Sequence, residues 1–248
     1  MSLKIKNLTG GYTQIPVIKN VSFEIPKGSM VGLIGLNGAG KSTIVKHLIG
    51  LMRPFSGEIT LDGLSLIGDP QEYLRHISYV PETPILYREL TLKEHIELTG
   101  RAYGLSDDEI RERSEPLLAK FRLEKHLNWF PFDFSKGMKQ KVMLICALIV
   151  RPDLLVIDEP FIGLDPVAIH DLEQILMDIL ADGRSVLMTT HVLSNAEKLC
   201  DSFVFLNDGE VITQGTLSQM KEDLKLNVDT LEDLYLTIAK KAGQANDR

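Results

Sequence analysis

The chain has 248 residues, of which 44% are hydrophobic and 25% charged, with a formal net charge of −7. This length suits one large domain, or a domain with a subdomain, around a sizeable core, and the composition is that of a soluble globular protein. The acidic balance leaves no electrostatic footprint for nucleic acid.

Residues 3–26 alternate apolar and polar, with Val21, Phe23 and Ile25 on one face, so antiparallel strands are expected there. Met30–Ile34 is a short apolar run that suits a buried strand. Gly35-Leu36-Asn37-Gly38-Ala39-Gly40-Lys41-Ser42-Thr43 follows, and it matches the phosphate-loop pattern G-x-x-x-x-G-K-[ST]. A helix is expected from Ser42 to Ile49, which gives the motif its strand–loop–helix context. The glycines let the backbone curl so that N–H groups face phosphate oxygens, and the helix N-terminus adds its positive end. Lys41 then reaches the β- and γ-phosphates, and the Ser42 hydroxyl can ligate Mg²⁺.

Further along, Ile59-Thr60-Leu61 runs into Asp62-Gly63, a strand entering a hairpin turn. From about Thr83 to Val150 the period changes. Leu92, Ile96 and Leu98, then Ile110, Leu117, Leu118 and Phe121, recur at helical spacing. Ser106 with Glu109 three residues on is a capping-box start. Residues 83–150 therefore read as a helical subdomain inserted between core segments 1–82 and 151–225. Within it, Val142–Val150 is the longest uninterrupted apolar run, nine residues, against the roughly 20 needed to span a bilayer. Cys146 lies in that run and is expected in the core. The other cysteine is Cys200; the pair has no metal-type spacing and suits a reducing compartment.

Leu154–Ile157 is an apolar strand ending in Asp158-Glu159-Pro160. Alone, such an ending is as often a structural turn. Beside a phosphate loop, Asp158 can hold Mg²⁺ through water and Glu159 can act as general base on an attacking water. Both motifs would lie beyond the carboxyl ends of the strands, where ligands gather in α/β sheets. Strands and helices then alternate to Ile212, as in a mostly parallel sheet, with Asp208-Gly209 as a hairpin turn. After Thr216 the chain reads as charged helix. Residues 226–248 form a short helical extension, with 240–248 polar and expected to fray.

Phe134-Ser135-Lys136-Gly137-Met138-Lys139-Gln140-Lys141 resembles the signature motif of the ATP-binding cassette (ABC) ATPases, usually written LSGGQ. The resemblance runs from about Leu3 to Gly215. Tyr12 falls where that family places an aromatic that stacks on adenine. Glu82 falls at the Q-loop, Gly163-Leu164-Asp165 at the D-loop, and His191, after Val186–Thr190, at the switch histidine. A lone Tyr, Ser or His at such places more often packs or faces solvent; six motifs in order carry the match. Leu8–Tyr12, the Pro-Glu-Thr-Pro at 81–84, residues 135–138 and Asp233–Leu236 are similar to the Ecs-type branch of Gram-positive bacteria, whose ATPase pairs with a separate membrane subunit and is associated with export and protein secretion.

This resemblance implies an α/β P-loop NTPase of the ABC cassette type: a RecA-like, mostly parallel sheet core with an antiparallel β subdomain and an α-helical subdomain. It implies ATP and Mg²⁺ as cofactors, with Glu159, His191 and Lys41 catalytic. Tyr12, residues 35–43 and Glu82 would contact nucleotide, with Ser42, Asp158 and Glu82 at the metal. Ser135, Gly137 and Asp165 would contact a nucleotide held by a second copy, in a head-to-tail homodimer. The partner would be a membrane-spanning transporter subunit, with no nucleic acid, and the protein would sit on the cytoplasmic face of the membrane. No secretory pattern at the N-terminus opposes that expectation. Lys136 and Met138 depart from the usual signature but leave Ser135 and Gly137 intact. Glu82 replaces the usual glutamine: a carboxylate offers Mg²⁺ a charged oxygen and also repels a γ-phosphate, and sequence does not rank the two.

Two other classes fit the sequence less well. Soluble ABC ATPases of DNA repair or translation usually fuse two cassettes or carry a long coiled coil or zinc module, and none is legible here. A phosphate-loop GTPase or small-molecule kinase would lack reason for the 135–140 motif, and no Asn-Lys-x-Asp guanine reader is present.

Overall fold

The computed structural model describes the backbone of residues 1–246 and the side chains of residues 1–241. Two sheets organise it. In the first, β1 (Leu3–Gly10) pairs antiparallel with β2 (Ile18–Ile25) on one side and β4 (Ser56–Leu61) on the other, and β5 (Leu64–Ser65) completes the order β2-β1-β4-β5. The alternation in residues 3–26 is this pairing: Leu3, Ile5 and Leu8 face inward with Val21, Phe23 and Ile25. Asp62 and Gly63 turn β4 into β5 with φ of 46° and 87°, the two positive values that a two-residue type I′ hairpin requires.

The second sheet has six strands in the order β10-β9-β3-β8-β7-β6. These are β3 (Met30–Gly35), β6 (Ile77–Val80), β7 (Leu154–Asp158), β8 (Ser185–Thr189), β9 (Ser202–Asn207) and β10 (Glu210–Gly215). All pairs are parallel except β10 on β9, joined by the expected Asp208-Gly209 turn. Strands β3 and β8 are buried throughout, which is why Met30–Ile34 and Val186–Met188 read as runs without polar side chains. Along β7, Leu154 and Val156 join the apolar layer shared with the antiparallel sheet, while Leu155 and Ile157 join the layer under the helices. The period of two thus distributes one strand between two cores.

Helices α1 (Lys41–Leu48), α2 (Pro70–Arg75), α3 (Leu92–Ala102), α4 (Asp107–Phe121), α5 (Lys136–Ile149), α6 (Pro166–Ala181), α7 (Leu193–Leu199), α8 (Leu217–Leu224) and α9 (Leu231–Asn246) cover these sheets. Ser106 caps α4 in the expected capping box with Glu109. Cys146 is buried. Among the described residues, no helix is long and apolar enough to cross a membrane.

The helical spacing is borne out, but not every residue in it is buried. Leu98 is 48% exposed; Leu92 and Ile96 define the buried stripe of α3, and a residue two beyond Ile96 lies off it. Leu117 is only half-buried, beside the buried Leu118. The C-terminal extension is helical as expected: α9 continues to Asn246, with Leu231, Leu234 and Ile238 buried. Residues 247 and 248 lie outside the described residues.

Candidate nucleotide site

The parallel register brings the chemistry together. Asp158 at the end of β7 stands opposite Thr189 at the end of β8, and Leu33, near the end of β3, also stands opposite Thr189. Val80 at the end of β6 stands opposite Ile157. The loops leaving these strands therefore meet at one edge of the sheet. They enclose a cavity of about 380 Å³ lined by Asn37–Thr43, Tyr12, Val17, Glu82, Asp158, Glu159 and His191.

The phosphate loop joins β3 to α1 through Gly40, whose φ is 104°. A Cβ there would lie 2.7 Å from the Ile18 side chain, so both backbone angle and space demand glycine. No side chain caps α1, so the N–H groups of its first turn remain available for an anion. The Lys41 ammonium donates to the carbonyls of Gly35 at 2.7 Å and Leu36 at 3.1 Å. Those two residues therefore act through Lys41 and do not line the cavity. Burial lowers the Lys41 pKa, and the charges of Glu159 and Asp158 oppose that shift.

Asp158 accepts a hydrogen bond from the Thr189 hydroxyl. Glu159 has φ of 48° and is 4% exposed. One carboxylate oxygen accepts from the Thr190 hydroxyl at 3.2 Å. The other, Oε1, lies 3.4 Å from Nε2 of His191, but at an angle that makes no hydrogen bond, so it is buried without a donor. Burial is the largest influence on Glu159 and raises its pKa, against His191 and Thr190. A left-handed backbone at a non-glycine residue together with an unmet buried acceptor is the kind of strain that clusters at functional sites. Such a carboxylate, beside an anion-binding loop, can take a proton from water.

Tyr12 is half exposed at the cavity mouth. Its hydroxyl accepts from Lys46 at 2.9 Å, and the same ammonium lies 4.9 Å from the ring centroid. That hydrogen bond, the largest influence, holds the phenol below its ordinary pKa.

Glu82 lines this cavity. β6 ends two residues earlier beside β7, which brings Glu82 to the cavity.

Ser135, Gly137 and Asp165 are not brought to the cavity. Ser135 is the N-cap of α5, its hydroxyl accepting from the Met138 N–H at 3.2 Å. Asp165 caps α6, accepting from the N–H groups of Val167 and Ala168, and lies 3.3 Å from the Lys141 ammonium. The Ala168 N–H and then Lys141 depress its pKa. Gly137 packs directly on the Gly163 carbonyl, which a Cβ would approach to 2.3 Å. The signature and D-loop segments therefore interlock on a separate face.

The cavity fits nucleotide phosphate on its chemistry: free helix-start amides, a lysine and an unmet acidic acceptor. Among the described residues, no group of three or more His, Cys, Asp or Glu side chains is arranged to hold a metal. Ser42 and Asp158 suit Mg²⁺ only as it is usually bound in nucleotide sites, by one or two protein oxygens shared with phosphates.

Sequence reasoning missed Val17, Lys46, Thr189 and Thr190. The threonine pair at the end of an apolar strand was a usable signal. Val17 and Lys46 carried none, because only the fold sets them against Tyr12 and the loop.

Fold and site together define a P-loop ATPase. Residues 18–162 match the ABC transporter family. In Bacillus subtilis strain 168, the ABC-type transporter ATP-binding protein EcsA is 54% identical over 96% of both chains. A solved structure described as an ATP binding subunit of an ABC transporter superposes with a TM-score of 0.93 at 50% identity, covering 96% of this chain and 100% of that one. A second, the dimeric post-hydrolysis state of the ATP-binding cassette MJ0796 bound to ADP and Pi, gives 0.79 at 30% identity, covering 87% and 98%. The chain belongs to the ATP-binding subunits of the ABC transporter family.

Proposed function

We propose that this ATP-binding subunit hydrolyses ATP in a head-to-tail homodimer and powers an exporter, linked to peptide or protein secretion, through a separate membrane-spanning subunit. It would sit on the cytoplasmic face of the membrane, held there by that partner. The observation that carries the dimer is the division of labour within one chain: Lys41, Glu159 and His191 share a cavity, while Ser135, Gly137 and Asp165 occupy another face. Two copies arranged head to tail would bring each signature face to the other's cavity. The Ecs-type resemblance supports export.

In this reading, the loop amides and Lys41 bind the phosphates and Tyr12 stacks on the base. Glu159 takes a proton from the attacking water while the bond from the γ-phosphorus to the β–γ bridging oxygen breaks. His191, within reach of Glu159, helps hold that water. The Ser135 hydroxyl and Gly137 amide of the second copy stabilise the transferring charge. Ser42, Asp158 and Glu82 would hold Mg²⁺, which supplies positive charge against the phosphate oxygens when bound.

The partner surface is proposed around residues 82–103. Ile85 and Tyr87 are 76% and 62% exposed, and Arg88 lies 4.7 Å from the ring of exposed Phe132, joining this loop to the aromatic residues ahead of the signature. Leu86, between Ile85 and Tyr87, packs against the core, so a charge there would also disturb the fold. A helix of the membrane subunit laid into this surface would transmit closure.

Sedimentation velocity of Glu159→Gln with ATP tests the dimer, and co-purification of the wild type with a membrane protein tests the partner. A dimer that forms only with ATP is expected, together with a complex lost on Tyr87→Glu. A variant that binds ATP yet stays monomeric, or a complex indifferent to Tyr87→Glu, would overturn the respective half.

A further inference from the structure

His191 is weakly restrained at its side chain. Its side chain is 53% exposed, and the 3.4 Å approach to Glu159 is the one polar contact of its ring among the described residues. What fixes its position must act through the backbone. Two residues later begins α7, which has only seven residues and no side-chain cap. A helix this short is not stable by itself, so its place is set by what holds it from outside.

Two polar ties do so. The Lys198 ammonium pairs at 2.7 Å with Glu173, a residue of α6 that is 8% exposed. The Glu197 carboxylate accepts, at 2.8 Å, the N–H of Leu231, the first residue of α9. Thr230 and Asp233 already cap the start of α9 in the usual local manner. Glu197 meets a further free donor of that helix start and places a negative charge at its positive end. Beneath this tie, Ala196 and Leu199 of α7 join Leu231 and Leu234 of α9 in one apolar cluster. Tyr235 of α9 in turn lies 5.9 Å, ring to ring, from Phe205 of β9, the strand beside β3.

We propose that Glu197 is a positioning residue for ATP hydrolysis: by joining α7 to the C-terminal helix α9, it fixes His191 against Glu159. The C-terminal helix is thereby part of the hydrolytic apparatus although it touches none of the cavity. This rests on the reading of His191 as a residue that helps hold the attacking water.

The test uses the full chain with Glu197→Ala, Glu197→Gln, His191→Ala and the double variant Glu197→Ala/His191→Ala, each normalised to the fraction that binds ATP. Glu197→Ala should lower kcat about tenfold, since small misplacement of a catalytic group costs that order, with KM for ATP changed less than about twofold. Glu197→Gln keeps the acceptor and should restore most of the rate. On the His191→Ala background, Glu197→Ala should add nothing further, because both changes remove the same contribution. An undiminished kcat in Glu197→Ala, a failure of glutamine to rescue, or an additional tenfold loss in the double variant overturns the proposal. If His191→Ala alone leaves kcat unchanged, the reading of His191 fails whatever Glu197 does.

Discussion

The cavity face and the signature face belong to one chain, yet the residues proposed to act at each are held differently. Around Lys41 and Glu159 the groups are left short: α1 has no side-chain cap, and Glu159 has a buried oxygen without a donor. On the other face the three residues proposed to act are engaged, although Gln140 of the same segment is buried with both amide atoms unpartnered. Ser135 caps α5, Asp165 caps α6 and pairs with Lys141, and Gly137 is pressed against Gly163. An unsatisfied region waits for a ligand that carries charge. Ser135 and Gly137, held by these contacts, can present donors to something else without rearranging, which is what electrostatic preorganisation requires. On the proposed reading, this chain would hold one half of a reaction and offer the other half to a second copy.

The largest effect should come from the cavity face. Glu159→Gln removes the proposed base and should lower kcat by about 10²–10⁴-fold, the usual range for a lost general base, while ATP binding persists. Near-normal turnover measured by phosphate release would remove Glu159 from that role. A smaller effect is expected at the cavity mouth. Tyr12→Ala should weaken ATP binding by about 0.5–1.5 kcal/mol, the range for aromatic stacking, with kcat at saturation little changed. Calorimetric titration reads this directly, and unchanged affinity would return Tyr12 to a partner of Lys46 alone. Because stacking discriminates bases weakly, GTP should also bind.

Glu82→Gln probes the residue that the fold delivers to the cavity in place of glutamine. If its carboxylate faces Mg²⁺, the variant should need more Mg²⁺ for half-maximal hydrolysis. Superimposable Mg²⁺ titrations would leave contact with the membrane subunit as its role. The smallest effect belongs to the signature face and concerns stability alone. Asp165 has a pKa depressed in the fold by the Ala168 N–H and Lys141. Its contribution is therefore present above the ordinary aspartate pKa and is lost as pH falls through the lower, folded value. Asp165→Ala should be less stable than wild type at neutral pH, and denaturant titrations should show the gap closing in acid. A gap independent of pH would mean that the cap is not what Asp165 provides.

Much of the fold was legible because its signals are local. The phosphate loop, both Asp-Gly hairpins and the Ser106 capping box each fit within about ten residues, where spacing and backbone chemistry fix the outcome. Helix α2 also had a readable start, Asp69 accepting from Glu72 with Pro70 in the first turn, but six residues carry no apolar period to draw attention. The rest of the site was set by register. Thr189 meets Asp158, and Glu82 reaches the cavity, only because β6, β7 and β8 align in parallel, and no spacing along the chain encodes that.

The division of one reaction between two chains is tested most directly by mixing two inactive variants, Lys41→Ala and Ser135→Arg. In a head-to-tail dimer of the two, both defects fall in the same site, and the other site combines an intact phosphate loop with an intact signature. Mixing should therefore restore ATP hydrolysis that neither variant shows alone, rising with the fraction of mixed dimer. A mixture no more active than the average of its components would contradict the composite site.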